Sequence, residues 1–443
     1  MELRRFKDII AVKSGTTVGL DDSIVAFHAS NMEVAEVSEE SFNEMTLIDT
    51  LSGEIPAEKA PLDAEAYEAL SNWESEINPN VRSGKLDFRI RSITLNVNQI
   101  CNLKCAYCAA GGDGTYGEPT NQISVEKTLP QLKYFISSLK PGSKFSITFV
   151  GGEPLLHPKA ILALYEYATT EGLKYNVSPV FTIVTNGTLL TGDTLQIVRS
   201  MKLNLTISID GLKKFNDVVR PSKNGQSSTD MSVYGINELA DNRGKILSIG
   251  IAAVFSAGNE DLISNYIFLK SLKPDWIDFT FAYSEKSIEL QKKYIHQMRQ
   301  VAQLAWNSGG ELELRKIQQF DHYFKMLDSQ QQIENHCGAG KSFLMVDAKN
   351  NLYTCPWVVA EKNEIVGNGE LLDHEKLAKY LKPLIELNNC QSCWARFLCG
   401  GGCMYIHKAH SGDKHIKDNL FCDRTRSLIL TALMYYKRAR AIL

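Results

Sequence analysis

Apolar and polar positions alternate along residues 90–285 in a pattern that predicts six strands separated by helices. The strands are expected at residues 92–98, 145–150, 179–185, 203–209, 246–254 and 276–283. Strands that alternate with helices form a parallel sheet in an α/β fold, and six such units would curl into a partial (β/α)6 barrel. The loops that follow the strands of such a barrel share one rim, so chemistry is expected there.

Residues 1–85 follow a different pattern, which predicts a small α+β module resembling a winged helix. Short strands are expected at 9–12, 17–20, 24–28 and 34–37, followed by helices at 39–45 and 64–76. Residues 286–336 are charged and glutamine-rich, and they predict a helical linker. Residues 337–425 form a cysteine-rich domain in this interpretation, and residues 426–443 form an amphipathic carboxyl-terminal helix.

Composition narrows the possible partners and the cellular location. Lys and Arg total 48 against 51 Asp and Glu, a net charge of -3, so no overall basic field indicates a nucleic acid or a membrane surface as partner. Apolar runs stay short of a membrane span and the amino terminus has no signal-peptide core, so a cytoplasmic protein is expected. Ten cysteines in such a compartment indicate metal binding rather than disulfides.

Three cysteines, Cys101, Cys105 and Cys108, form a C-x3-C-x2-C run just after the first predicted strand. Three thiolates can hold three irons of a 4Fe-4S cluster and leave the fourth iron open. A zinc knuckle remains an alternative, although zinc usually takes four ligands. The run, including Tyr107, resembles the motif of the radical S-adenosylmethionine (SAM) superfamily. The resemblance implies a cluster that cleaves SAM reductively to a 5'-deoxyadenosyl radical.

The loops after the next three predicted strands resemble the SAM-binding loops of that superfamily. The segment Gly151, Gly152, Glu153 and Pro154 begins after 42 residues that follow Cys108, and it looks like the motif that holds the amino group of SAM. Asp210 is then a candidate for the ribose, and Arg220 for the methionine carboxylate. Asn186 and Ser208 are candidates by position alone. A turn aspartate and a surface arginine are the structural alternatives. The glycine-rich segment 111–117 resembles loops of peptide-crosslinking members.

A second group of seven cysteines has the spacing Cys337-x17-Cys355, then C-x2-C-x5-C-x3-C from Cys390 to Cys403, then Cys422. This pattern resembles the SPASM extension, which binds two auxiliary iron-sulfur clusters. The resemblance assigns auxiliary cluster II to Cys390, Cys393, Cys399 and Cys422. It assigns auxiliary cluster I to Cys337, Cys355 and Cys403, with no cysteine left as a fourth ligand. Zinc at the C-x2-C pair remains an alternative.

One position of the extension departs from the usual pattern. Asn350 stands five residues before Cys355, where the family usually has glycine. Asparagine tolerates left-handed backbone angles better than other residues with a side chain, so we expect the turn to form.

Together these resemblances imply a radical SAM peptide maturase that installs a thioether or carbon-carbon crosslink in a ribosomally synthesised peptide. Its implied partners are a precursor peptide with a leader sequence, bound by residues 1–85, and an electron donor such as a reductase, flavodoxin or ferredoxin. Residues 1–85 could instead be only a packing extension. The alternative functions are a formylglycine-type sulfatase maturase, whose aspartate is replaced here by Pro356, and a non-catalytic iron-sulfur carrier or peptide scaffold. No catalytic residue is assigned.

Overall fold

The computed structural model describes residues 1–13, 23–49, 54–57, 60–84, 88–108, 122–359 and 361–441. The chain divides into two compact units. Unit 1 comprises Met1–Lys85, Lys286–Cys337 and Lys382–Leu443, and unit 2 comprises Leu86–Glu285 and Gly338–Leu381.

The amino-terminal part of unit 1 is a five-stranded antiparallel sheet that packs on two helices. Its elements are β1 (Glu2–Phe6), β2 (Ile9–Lys13), β3 (Ile24–His28), β4 (Glu33–Val37), α1 (Glu39–Glu44), β5 (Thr46–Leu47) and α2 (Ala64–Ser75). The strand order is β4-β3-β2-β1-β5. Phe6, Ile9, Phe42 and Leu70 belong to its apolar core. The strand expected at 17–20 lies outside the described residues.

Unit 2 contains strands at all six positions that the alternation predicts. They are β6 (Ser92–Asn96), β7 (Lys144–Val150), β8 (Ser178–Thr185), β9 (Leu203–Ser208), β10 (Ser248–Phe255) and β11 (Trp276–Phe281). The helices between them are α3 (Val125–Ser137), α4 (Pro158–Tyr175), α5 (Gly192–Ser200), α6 (Lys213–Val219), α7 (Ser228–Asp241) and α8 (Leu262–Ser271). Neighbouring strands run parallel and in chain order. Their carboxyl ends therefore lie along one edge.

Two helices of unit 1 and four further strands of unit 2 follow along the chain. They are α9 (Ile288–Leu314), α10 (Gln318–Asp328), β12 (Phe343–Val346), β13 (Asn351–Tyr353), β14 (Ile365–Asn368) and β15 (Leu371–Leu372). β12 pairs in parallel with β6, and β13 to β15 continue in antiparallel fashion, so the sheet of unit 2 has ten strands. Part of the cysteine-rich segment thus extends this sheet.

The remaining helices are short except for the last. They are α11 (His374–Ala378), α12 (Leu384–Leu387), α13 (Arg396–Cys399), α14 (Met404–Ser411) and α15 (Asn419–Ala441). α15 begins before the predicted position 426 and packs on the two preceding long helices of unit 1, with the rings of Tyr435 and Trp306 5.4 Å apart. Within the described ranges, no helix has both the length and the apolar character needed to cross a membrane.

Candidate functional site

The three cysteines of the first run lie on the loop that follows β6 in unit 2. Cys105 is buried, and Cys101 and Cys108 are partly exposed. The backbone N–H of Leu103 donates to Cys101 Sγ over 3.4 Å, and the amide of Asn186 approaches the same sulfur at 3.7 Å. Hydrogen bonds from backbone and side-chain amides to a cysteine sulfur are typical of iron-sulfur ligands. The loop therefore fits a cluster held by these thiolates.

Burial favours the protonated thiols of Cys101 and Cys105 when no metal is bound. It raises the pKa of Cys101 to about 12, and the nearby Glu153 carboxylate adds to the effect. Burial also raises the pKa of Cys105, although the Arg220 guanidinium opposes this shift. Because thiolates are the ligands, loading of a cluster must release protons.

Gly151 and Gly152 let the loop after β7 lie directly on the segment that leads into the cysteines. A Cβ at Gly152 would stand 2.0 Å from the carbonyl oxygen of Ile100, and one at Gly151 would stand 2.8 Å from that of Asn98. The backbone N–H groups of Gly152 and Glu153 donate to those same two carbonyls. Both glycines are thus required for contact between two loops of the protein, in addition to any contact with a ligand.

The Glu153 side chain joins the loop after β7 to the loop after β8. It is fully buried, and its carboxylate accepts hydrogen bonds from Thr185 Oγ1 at 2.6 Å, from the Asn186 backbone N–H at 2.7 Å and from the Leu155 backbone N–H at 2.9 Å. Burial raises its pKa despite these three donors. Pro154 opens a short 3-10 helix, Pro154–Leu156, which directs the Leu155 N–H to the carboxylate.

Asn186 connects Glu153 to the cysteine loop. Its side chain is almost completely buried and donates to Asn102 Oδ1 at 2.8 Å, besides its approach to Cys101. Its own Oδ1 accepts from the Thr188 hydroxyl and backbone N–H. Position alone suggested this residue, and its contacts place it against the cysteines. Ser208 is half-buried at the end of β9 and lies beside Ala252 of β10 in the sheet.

Buried Asp210 and Arg220 form a network with the partly exposed Tyr107 beside Cys105. Tyr107 donates to Asp210 Oδ2, Arg220 donates to the Tyr107 hydroxyl, and Arg220 Nη1 lies 3.6 Å from Asp210 Oδ1. Burial would lower the pKa of Arg220, but its interactions with Cys105, Tyr107 and Asp210 outweigh burial and raise that pKa. The two residues suggested for SAM are therefore neighbours. The bridging role of Tyr107 could not be deduced from sequence, although it stands inside the cysteine motif.

Four cysteines of the second group line one cavity in unit 1. Cys390, Cys393, Cys399 and Cys422 all border this space of about 340 Å³. They are the four residues that the SPASM resemblance assigns to auxiliary cluster II, so the donor set and the space fit a four-thiolate cluster. Burial raises the pKa of Cys390 to about 11 and also raises that of Cys399.

Three consecutive glycines, of which Gly401 and Gly402 line this cavity, were not singled out from sequence. Gly400, Gly401 and Gly402 have φ of 68°, 90° and 83°, in the left-handed region that side chains disfavour. A Cβ at Gly401 would stand 2.7 Å from the Leu384 carbonyl carbon. The run thus carries the chain from Cys399 to Cys403 through a turn that other residues would strain.

The remaining cysteines belong to different units. Cys337 and Cys403 lie in unit 1, and Cys355 lies in unit 2. Within the described residues, no three His, Cys, Asp or Glu side chains converge on a point that could hold a single metal ion. A cubane cluster does not need such convergence, because each of its thiolates binds its own iron. The glycine-rich segment 111–117 lies outside the described residues.

Asn350 adopts the left-handed backbone conformation that its position predicts, with φ of 64°. Its buried side chain donates to Thr128 Oγ1 at 2.9 Å and to Gln131 Oε1 at 3.2 Å, so it ties the β12–β13 turn to α3. The prediction for this turn is confirmed. The asparagine adds hydrogen bonds that a glycine could not make.

Comparison with known proteins gives the following similarities. Residues 95–263 match the Radical SAM superfamily. The serine-type anaerobic sulfatase-maturating enzyme of Klebsiella pneumoniae is 23% identical over 330 residues, which are 69% of this chain and 80% of that protein. The mycofactocin maturase MftC of Mycolicibacterium smegmatis is 24% identical over 330 residues, 70% of this chain and 77% of that protein.

Among solved structures, anSMEcpe with bound AdoMet superposes with a TM-score of 0.64 at 18% identity, over 80% of this chain and 95% of that one. At this identity the likeness shows the fold. The matched segment 95–263 contains the three-cysteine loop, the loop with Gly151 to Pro154, Asp210 and Arg220. Residues 95–263 thus form a radical SAM domain, and the chain is an enzyme.

Proposed function

We propose that this enzyme is a maturase that modifies a side chain of a peptide or protein. The observation that carries the proposal is the three-cysteine loop, packed under the buried Glu153 and Asn186, in a chain that also has a four-cysteine cavity. The relatives are named as maturases of sulfatases and of mycofactocin, which supports a peptide or protein substrate. When bound, the cluster on Cys101, Cys105 and Cys108 would supply the electron that cleaves SAM to a 5'-deoxyadenosyl radical.

The residues beside the cysteine loop would bind and orient SAM. We propose that Arg220 pairs with the methionine carboxylate and that Asp210 accepts hydrogen bonds from the ribose. In the structure these two side chains and Tyr107 satisfy one another, so SAM would exchange with contacts that already keep the charges paired. This arrangement avoids a buried, uncompensated charge before the cofactor arrives. Glu153 and Asn186 would hold the loops in position rather than react.

A direct test is to incubate reconstituted, dithionite-reduced protein with SAM and measure 5'-deoxyadenosine. We expect formation of 5'-deoxyadenosine by the full-length enzyme and none by the Cys101→Ala, Cys105→Ala and Cys108→Ala triple variant. A matched control is Cys390→Ala with Cys393→Ala, which removes ligands of the cavity in unit 1 and should leave the cleavage site loaded. Equal cleavage by the triple variant and the unsubstituted enzyme would refute the proposal.

The specific reaction we propose is formation of a thioether or carbon-carbon crosslink in a ribosomally synthesised peptide. Formylglycine formation is the second candidate, since one relative is a sulfatase-maturating enzyme. Pro356 opens the 3-10 helix Pro356–Val358 and has no group that could accept a proton, which favours the crosslink. Analysis of the products formed from a Cys-containing precursor and from a sulfatase peptide distinguishes the two reactions. A new aldehyde that reacts with a hydrazide probe indicates formylglycine, and loss of two hydrogens without an aldehyde indicates a crosslink.

We propose that the amino-terminal sheet of unit 1 binds the leader of the substrate peptide. β4 (Glu33–Val37) stands at the end of the strand order and pairs with β3 on one side, so an extended peptide could add to its other side. Because N–H directions alternate along a strand, only one of the adjacent residues Ala35 and Glu36 directs its N–H outward. Ala35→Pro and Glu36→Pro therefore form a matched pair of variants.

The outward-facing member of this pair should lose peptide binding and keep its fold and its SAM cleavage. The inward-facing member should lose stability instead. Fluorescence anisotropy with a labelled leader peptide measures the binding. Normal binding by both variants, each folded, would leave this sheet with a purely structural role.

The remaining proposals concern electron supply and location. An electron donor such as a reductase, flavodoxin or ferredoxin would reduce the cluster. We propose that the enzyme works in the cytoplasm, because iron-sulfur assembly needs reduced thiols. Three iron-sulfur clusters per chain are proposed in total.

A further inference from the structure

A set of basic side chains surrounds the four-cysteine cavity of unit 1. Arg426, Lys417 and Arg396 line the cavity together with the cysteines, and Arg5 lies within electrostatic reach of Cys393. Such a distribution is unusual for a merely structural pocket, because buried cations are costly unless an anion compensates them. The question is which of these charges face the sulfur ligands.

Two of the arginines are committed to the surrounding protein. Arg396 makes a two-pronged ion pair with Asp8, with both N···O distances at 2.7 Å. Arg5 is 1% exposed and donates to the backbone carbonyls of Ser392 and Lys7, at 2.7 and 2.6 Å. Their main effect is thus to hold the cysteine loop against β1 and the β1–β2 turn.

Arg426 is directed at the ligands themselves. It lies on α15 one turn after Cys422, is 7% exposed, and its Nη2 approaches Cys393 Sγ at 3.7 Å. Lys417 lies at the exposed rim, donates to the Asn389 carbonyl at 2.8 Å, and its charge reaches Cys390 and Cys422. The opposing carboxylates near the cavity are Glu54, which lines it, and Asp418, which faces Cys422.

We propose that Arg426, assisted by Lys417, raises the reduction potential of the cluster that Cys390, Cys393, Cys399 and Cys422 hold. The inference rests on the proposed auxiliary cluster II. The potential of an iron-sulfur cluster follows its net charge and the hydrogen bonds to its sulfurs. Reduction adds one electron to an already negative four-thiolate cluster without a protein bond forming or breaking. A guanidinium at a ligand sulfur stabilises the extra negative charge, so this site is built to accept electrons from a one-electron donor.

The experiment is a redox titration of the full-length, reconstituted enzyme, followed by electron paramagnetic resonance. The signal of auxiliary cluster II is identified by its change in Cys393→Ser. Arg426→Gln should lower the equilibrium constant for reduction of this cluster at least tenfold, a shift of about 59 mV to more negative potential for one electron. Arg426→Lys should shift the midpoint less, because it keeps the charge. Lys417→Gln should give a smaller shift in the same direction, because solvent screens this exposed charge.

Arg438→Gln is the matched control, since it removes a guanidinium from the same helix at a side chain that packs on Trp306. It should leave the midpoint unchanged. If Arg426→Gln loads less iron, Arg426→Lys should restore the iron and Lys417→Gln still reports the charge effect. An unchanged midpoint in Arg426→Gln and Lys417→Gln, with iron retained, overturns the inference. If iron analysis finds no cluster in the cavity of the unsubstituted enzyme, the cluster assignment itself fails and the inference fails with it.

Discussion

The two cysteine sites are held in different ways, and the difference suggests different tasks. In unit 2, Cys101, Cys105 and Cys108 lie on one loop, and side chains from other strand-end loops pack against them. In unit 1, four cysteines reach one cavity from α13, α15 and the loop before α13. Three thiolates leave an iron open for a ligand, whereas four close the cluster. The first arrangement suits chemistry, and the second suits electron transfer.

The largest expected effect comes from removal of the three-cysteine site. Substitution of Cys101, Cys105 and Cys108 by alanine should remove about four irons per chain and abolish SAM cleavage, while the iron of the other site stays. Iron analysis with 5'-deoxyadenosine measurement checks both. Loss of all iron would mean that the two sites do not load independently.

The second prediction concerns Glu153, which joins the loop after β7 to the loop after β8. One carboxylate oxygen of Glu153 accepts two of its three hydrogen bonds, and the other oxygen accepts the third. Glu153→Gln replaces one of these oxygens with an NH2 group, which can only donate. The new NH2 group would face at least one of these buried donors, and neither donor would then have an acceptor. The expected cost is about 1–3 kcal/mol in the free energy of unfolding. We expect a lower thermal midpoint and weaker SAM cleavage. The exposed helical residue Glu126 provides the control, because Glu126→Gln should change neither quantity.

The third prediction concerns the ion pair that borders the other site. Asp8→Asn removes the negative charge and one of the two oxygens that accept from Arg396. It should lower the stability of unit 1 by roughly 3 kcal/mol at neutral pH. Burial would raise the pKa of Asp8, but hydrogen bonds and charge from Arg396 outweigh it, so this pKa lies below its usual range.

A depressed carboxyl pKa stabilises the folded state above the unfolded pKa and loses this effect as pH falls through the folded pKa. The stability difference between the unsubstituted enzyme and Asp8→Asn should therefore be full at neutral pH and shrink below about pH 4. Denaturant unfolding of the metal-free proteins measures it, with the exposed Glu68→Gln as control. A difference that stays constant down to the lowest pH would show that the Asp8 charge is not the cause.

The smallest expected effect concerns the proposed third cluster, on Cys337, Cys355 and Cys403. If a substrate cysteine completes its ligands, addition of a Cys-containing peptide should change its resonance signal, and the Ser-containing peptide should not. A signal that ignores the thiol would instead favour a fourth ligand from the protein or solvent. This outcome would weaken the case for a thioether over carbon-carbon coupling.

The six strands β6 to β11 of unit 2 could be predicted within a few residues because each is a β-rich apolar run flanked by helical periodicity. β1 could not, because its sequence Glu-Leu-Arg-Arg-Phe carries two arginines, and burial of Arg5 depends on carbonyls distant in the chain. Spacing and the family resemblance grouped four of the cysteines, and the structure brings these four to one cavity. Tyr107 and Arg426 gained their roles only from partners 103 and 33 residues away, which no local pattern encodes.

The division of the chain into units has a consequence for its synthesis on the ribosome. The chain passes between the two units after residues 85, 285, 337 and 381. The amino-terminal sheet is translated before the rest of unit 1, yet Ser392 and Arg396, which Arg5 and Asp8 contact, follow almost 400 residues later. Of the four thiols of the cavity, Cys390 is translated first and Cys422 last. The proposed four-thiolate cluster can therefore be completed only after residue 422 has been translated.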